Sequence, residues 1–191
     1  MSLTVPRSRH AVIRCTVTLA TGSIGLLSVL AAREAGAGEI FVTARYPHQA
    51  ALAQALGAAR VFTTIEQMIE ALGTASMDVV IETVGGRANS LTEAVNVAGR
   101  GATIAMLGVF EGSPGIPGLT FAERELTLVG SYCYARDARV GDFALATSLL
   151  WKYRTELPEL VTHRFKLDEV ASAYAAAGDR KSGSIKVQIE P

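Results

Sequence analysis

Two rhythms of apolar residues alternate along the chain. Short runs rich in β-branched residues occur at 15–20 (CTVTLA), 39–44 (EIFVTA), 59–62 (ARVF), 77–84 (MDVVIETV), 102–107 (ATIAML) and 126–132 (LTLVGSY). Each has the length and apolar density of a buried strand, and 77–84 is nearly continuous, as in a strand covered on both faces. Between them, 24–35, 47–56, 65–72 and 88–98 carry Ala, Leu, Ile and Met at helical spacing. Punctuation agrees with these limits. GAG at 36–38 stops the first helix, Pro47 opens the second and Gly57 ends it.

Strands that alternate with helices at this spacing predict a parallel sheet with right-handed crossovers. Six such strands predict an α/β fold with a doubly wound parallel six-stranded sheet in the order 3-2-1-4-5-6. The Gly/Pro-rich stretch EGSPGIPG at 111–118 is the main irregular connection. Beyond the sixth strand lie a helix near 138–152, a segment VTHRF, a helix at 167–177 and a last strand, SIKVQI. These exceed what six strands require. They suggest a division into a leading segment 1–14, a main domain 15–159 and an added segment 160–191.

The first turn carries candidate chemistry. In VTLATGSIGLL (17–27), a strand runs into Ala20, Gly22 and Gly25, with Ser23 and Ile24 opening the helix. Gly22 allows close approach of a pyrophosphate, Gly25 allows the helix to pack on the first strand, and the helix N-terminus offers N–H groups and a positive dipole end. Ala20 stands where such turns usually carry their first glycine, which alanine replaces if its φ stays negative. A bare strand-turn-helix is the alternative, but the surrounding alternation favours a dinucleotide site. The end of the second strand reads VTARYPHQ, with Ala44 where an acid usually bonds the adenosine ribose, then Arg45 and Tyr46. A carboxylate repels a 2′-phosphate, whereas a guanidinium pairs with it, so NADP is expected rather than NAD. Tyr46 could stack on adenine, and Arg45 could alternatively be a solvated surface residue.

Composition narrows the classes further. The chain has 191 residues, 49% of them hydrophobic, enough for one ordinary domain or one with an appendage. Its 18 basic and 18 acidic residues balance without a basic cluster, which argues against nucleic acid as a partner. Arg7, Arg9 and Arg14 precede a weakly apolar run, but Thr16, Thr18, Thr21, Gly22, Ser23 and Gly25 interrupt it, so neither secretion nor membrane insertion is expected. Cys15 and Cys133 are too few for a disulfide framework, suit a reducing cytoplasm and are expected to be buried. His10, His48 and His163 lack metal-ligand spacing, so no zinc is expected. No Tyr-x-x-x-Lys pair or G-x-S-x-G elbow occurs. Asp168 and Glu169 fit a helix start better than acid/base work, and His163 reads as an ordinary histidine. No catalytic residue is assigned.

The stretches VTLATGSIGLL, ARYPHQAALAQALGA, DVVIETVGG, GATIAMLGVF, ELTLVGSY and THRFKLDEVASAYAAAGDRKSGSIKV together resemble the medium-chain dehydrogenase/reductase superfamily, specifically zinc-type alcohol, polyol and threonine dehydrogenases. They keep that family's order and spacing over nearly all of 15–191. The resemblance implies the cofactor-binding domain of an oxidoreductase, with hydride exchange at an alcohol or carbonyl carbon in the complete enzyme. It further implies cofactor contacts at Thr83, Val84, Gly85, Leu107, Gly108 and Val109, and a pyrophosphate contact at Lys186, which otherwise reads as a solvated edge-strand lysine. It implies a homodimer paired through the 126–132 strand, and a return of residues from about 160 to a separate catalytic domain. That domain would supply the zinc ligands and the substrate pocket, so this chain alone is expected to have little or no activity. The remaining alternatives are a non-catalytic nucleotide-binding or regulatory module, and a truncated remnant.

Overall fold

The computed structural model of the protein describes residues 14–18, 22–133 and 141–191. Six strands, β1 (Arg14–Thr18), β2 (Glu39–Thr43), β3 (Arg60–Phe62), β4 (Met77–Glu82), β5 (Ala98–Met106) and β6 (Thr127–Gly130), form one sheet in the order β3-β2-β1-β4-β5-β6. Every pairing is parallel. Parallel neighbours need crossovers, and the first four are helices α1 (Ser23–Glu34), α2 (Pro47–Leu56), α3 (Ile65–Leu72) and α4 (Ser90–Val97).

The period of two along each strand sends side chains to two cores. Ile40 and Val42 join Leu26, Val29, Leu30, Leu52, Ala53 and Leu56 beneath α1 and α2. Phe41 joins Phe62, Met68, Val80, Leu91, Val95 and Ile104 on the face covered by α3 and α4. Full burial of each Leu, Val, Ile or Phe contributes roughly 1.5–3 kcal/mol, so neither face is dispensable. A register irregularity between Met77 and Val79 lets Met77 enter the second core although Val79 faces the first.

The expected helix starts and stops have local causes. α1 passes into Gly36 at φ +87°, a conformation that favours glycine, and α2 opens at Pro47 and passes into Gly57 at φ +120°. The Thr64 hydroxyl accepts from Gln67 N at 3.4 Å to open α3. Other limits differ from the sequence expectation. α4 is confined to Ser90–Val97 because β5 already starts at Ala98, and β6 ends at Gly130 rather than 132. A short helix, α5 (Gly118–Glu123), follows the Gly/Pro-rich loop and was not anticipated.

The added segment forms its own βαβ unit. After α6 (Asp142–Lys152), VTHRF becomes β7 (Val161–Lys166), which pairs in parallel with β8 (Lys186–Glu190) in a separate two-stranded sheet. Helix α7 (Val170–Gly178) makes the crossover between them. Val161, His163 and Phe165 are half-buried while Thr162, Arg164 and Lys166 are exposed, the alternation of a strand with one covered face. Glu169 accepts from Lys166 N at 2.9 Å, so its carboxylate serves the turn into α7. The start expected for α6 at 138 lies outside the described residues.

Two links join this unit to the main sheet. Tyr153, Leu157 and Leu160 enter the core beneath α1 and α2, and Ile185 packs against it. At the C-terminus of α1, the Tyr153 hydroxyl donates to Glu34 Oε1 and Lys152 Nζ donates to Glu34 Oε2 at 2.7 Å. The Arg33 guanidinium lies 4.6 Å above the Tyr153 ring. Hydrogen bonds from Lys152 and then Tyr153 hold the Glu34 carboxyl below its ordinary range, and Glu34 in turn raises Lys152. Cys133 is exposed, contrary to the burial expected of it, because it lies three residues past the end of β6 in irregular chain.

Candidate functional site

All six parallel strands end on one edge of the sheet. Strand order reverses between β1 and β4, because the chain builds outward from β1 through β2 and β3, then crosses back to β4 on the other side. Doubly wound sheets bind ligands in the crevice such a reversal opens at the carboxyl edge. Helix α1 starts there. Its N-cap, Gly22, is extended (φ −70°, ψ −179°), no side chain caps it, and its first turn holds no acid. The N-terminal N–H groups and the positive dipole end therefore favour an anion in the crevice. Gly25 is buried, and Ile24 is exposed on the outer side. Ser23 Oγ donates to the carbonyl of Ile185 at 3.3 Å, which ties the start of α1 to the residue preceding Lys186. Lys186 itself is exposed at the start of β8. Ala20 lies outside the described residues.

At the end of β2, Ala44 is buried and its N–H donates to the Phe62 carbonyl at 2.8 Å. A longer acid at that position would have to displace packed neighbours. Arg45 is exposed, whereas Tyr46 is half-buried and stacks on His48 with ring centroids 5.7 Å apart at 16°. Tyr46 is also the N-cap of α2, whose first turn contains no acid. His48 Nε2 is buried without a hydrogen-bond partner among the described residues. A cation and a second helix N-terminus thus stand together at the β2 side of the crevice.

The ends of β4 and β5 are built around a residue that sequence reasoning passed over. Glu82, the last residue of β4, is 0% exposed. Its Oε1 accepts from Val84 N at 2.7 Å, Gly85 N at 3.0 Å and Ser90 Oγ at 2.8 Å. Its backbone carbonyl accepts from Leu107 N at 2.8 Å and Gly108 N at 3.1 Å. Thr83, Val84 and Gly85 are thereby folded back on β4, and Leu107 and Gly108 are held to the same residue. Gly86 N then donates to the Val109 carbonyl at 2.7 Å, and Gly86 bridges Phe110 in parallel. The approach is close enough that a Cβ on Gly85 would lie 2.4 Å from Val109 O, and one on Gly108 2.4 Å from Glu82 Oε2. Val109 is 67% exposed beside these turns. Glu93, on α4, has its carboxyl raised by burial and then by the negative charges of Glu66 and Glu82. The one signal for Glu82 in the sequence is a single acid closing the apolar run MDVVIE.

The structure thus gathers Gly22, Ser23, Gly25, Ala44, Arg45, Tyr46 and the two turns at 83–85 and 107–109 along one edge. It ties Lys186 to that edge through its neighbour Ile185. Among the described residues no three His, Cys, Asp or Glu side chains come together to hold a metal ion. No described helix is long and apolar enough to cross a membrane.

A parallel sheet covered by helices on both faces, with an open helix N-terminus at its reversal point, defines an α/β domain of the dinucleotide-binding class. The comparisons narrow that class. The profile of the family described as zinc-binding dehydrogenase matches residues 23–151. An alcohol dehydrogenase from Cupriavidus necator is 26% identical over 191 residues, covering 90% of this chain and 48% of the relative. A sorbitol dehydrogenase from Bos taurus is 27% identical over 195 residues, covering 95% of this chain and 52% of the relative. A solved structure described as a zinc-binding dehydrogenase from Sinorhizobium meliloti 1021, bound to NADP, superposes with a TM-score of 0.77 at 26% identity, covering 94% of this chain and 52% of the other. The chain belongs to the zinc-binding dehydrogenase family. It spans about half the length of the relatives it matches.

Proposed function

We propose that this chain is the nicotinamide-dinucleotide-binding domain of an alcohol dehydrogenase-like oxidoreductase and that it takes NADP(H) in preference to NAD(H). The observation that carries the preference is the end of β2. Buried Ala44 stands where an acid would bond the ribose, and exposed Arg45 follows it beside the uncapped start of α2. The NADP bound to the Sinorhizobium meliloti relative supports a nicotinamide dinucleotide as the ligand.

In this reading the N–H groups of Gly22, Ser23 and Gly25 bind the pyrophosphate, with Lys186 adding positive charge. Arg45 pairs with the 2′-phosphate and Tyr46 borders the adenine. The turns Thr83–Val84–Gly85 and Leu107–Gly108–Val109 border the rest of the crevice and orient the nicotinamide. The bound nicotinamide supplies the hydride acceptor or donor for an alcohol or carbonyl carbon in the complete enzyme. Residues 15–159 form the cofactor domain, and 160–191 complete a second domain that brings the substrate. The free edge at β6, within 126–132, pairs two copies of the chain, which also removes an exposed edge strand.

The test is a titration followed by the emission of bound reduced cofactor, since Trp151 is 72% exposed and a poor reporter. NADPH is expected to bind more tightly than NADH. Arg45→Ala is expected to weaken NADPH by about tenfold or more, the loss of a charge-assisted phosphate contact, and to leave NADH unchanged. Equal affinities for the two cofactors would refute the preference, and no binding of either would refute the function.

A further inference from the structure

We propose that Glu82 is a positioning residue for the proposed dinucleotide site, whose buried carboxylate locks the turns after β4 and β5 into one rigid wall of the crevice. The proposal rests on the reading above for its function, but its structural content stands on hydrogen bonds within the chain. One residue touches three elements. The side-chain oxygen Oε1 holds two consecutive N–H groups of the β4 turn and the Ser90 hydroxyl at the start of α4. The backbone carbonyl holds two consecutive N–H groups of the β5 turn. The second oxygen, Oε2, is buried without a hydrogen-bond partner among the described residues and lies against Gly108.

A carboxylate suits this task for a physical reason. Adjacent N–H groups of a tight turn converge, and a single anionic oxygen accepts several such donors with charge-assisted strength. Gly85, at φ +62°, is buried, and its N–H donates to Oε1 in a buried hydrogen bond. Without the carboxylate, the half-buried N–H of Val84 and the buried N–H of Gly85 lose their acceptor, and an unpaired buried donor at Gly85 destabilises that conformation. The turn would then reorganise to hydrate them. Because Gly85 packs against Val109 at backbone contact distance, the β5 turn would loosen with it. The carboxylate therefore acts on the crevice through the backbone, without touching a ligand.

The experiment uses the full chain and two readouts. Amide hydrogen exchange is followed over 83–89, 107–111 and, as a reference, 39–62, for the native protein and for Glu82→Gln, Glu82→Ala and Ser90→Ala. Glu82→Ala is expected to speed exchange in the first two segments by about tenfold or more, the loss of charge-assisted bonds, while 39–62 is unchanged. Glu82→Gln keeps the accepting Oε1 and is expected to restore most of the protection. Ser90→Ala, which removes one of the three donors, is expected to leave 83–85 protected and to loosen 86–89. NADPH affinity is expected to fall in the same order, Ala before Gln. Uniform acceleration across all three segments, or none in 83–89, would overturn the proposal by showing a merely structural role or no role. If Glu82→Ala does not fold, the exchange difference between the native protein and Glu82→Gln or Ser90→Ala decides, and unchanged patterns in both overturn it. Failure of the native protein to bind NADPH would overturn the proposed function, while the exchange data still decide the rigid wall.

Discussion

Gly85 and Gly86 are adjacent, share φ +62° and differ in what surrounds them, which makes them a matched pair. A Cβ on Gly86 would meet nothing within 4 Å. A Cβ on Gly85 would meet Val109 O at 2.4 Å, Val109 N at 2.5 Å and Val109 C at 2.8 Å, all backbone and unable to rotate away. Placing alanine at positive φ costs about 1–2 kcal/mol at either position. The same change makes the unfolded chain less flexible, which returns about 0.4–1 kcal/mol. Gly86→Ala should therefore destabilise by about 0–1.6 kcal/mol. Gly85→Ala carries in addition the cost of forcing a methyl into packed structure, about 1–3 kcal/mol. Urea unfolding of the two variants and the native chain, with the slopes compared first, measures the difference. Gly85→Ala is expected to be the less stable by about 1–3 kcal/mol, the overpacking term alone. Equal losses for the two variants would refute the close approach of the β4 and β5 turns, and with it the wall that Glu82 is argued to hold.

Two further predictions concern the scaffold. Arg124 Nη1 donates to the carbonyls of Val95, Asn96 and Ala98 at 3.0, 3.1 and 2.9 Å, closing the C-terminus of α4. Arg124→Met keeps the stem and removes the donors, so a loss of about 1–2 kcal/mol is expected in urea unfolding, and no loss would show the cap to be idle. The second concerns pH. The folded Glu34 carboxyl is held below its ordinary value of 4.5 by Lys152 and then Tyr153, so the unfolded chain binds more protons in that range. Its contribution is present above pH 4.5 and is lost as pH falls through the folded value. Glu34→Gln should remove that part of the acid loss, seen as a shallower fall of the melting temperature below pH 4.5; superimposable pH profiles would refute the clasp.

The order of strands and helices was legible because both periods were clean. Ile40, Phe41 and Val42 alternate between the two cores, and Gly36, Pro47 and Gly57 stand where helices must start or stop. What escaped was set by neighbours distant in sequence. VTHRF has the period of a strand, but its partner, 186–190, lies more than twenty residues on. The helix α5 has six residues, too few to show a helical period. At the crevice, the glycines and Arg45 could be found because their position at strand ends already suggests a role. Glu82 could not, because an acid after MDVVI reads as the solvent-facing end of a strand. Only the fold shows that its acceptors face two turns and a helix start.

Much of the crevice edge is main chain: the open start of α1 and the hydrogen-bonded turns after β4 and β5. An open helix N-terminus, inward-turned N–H groups and glycines at backbone contact present the same partial charges whatever side chains surround them. Substitution of side chains elsewhere leaves these main-chain groups in place. Side chains then divide into two kinds. Glu82 acts on the shape of the crevice, so its loss should weaken both cofactors alike. In the proposed function Arg45 acts on the 2′-phosphate, so its loss should weaken only the cofactor that carries it. A variant that separates these effects distinguishes a wall from a ligand contact. In the proposed reading, cofactor choice rests on Arg45, the exposed cation at the end of β2.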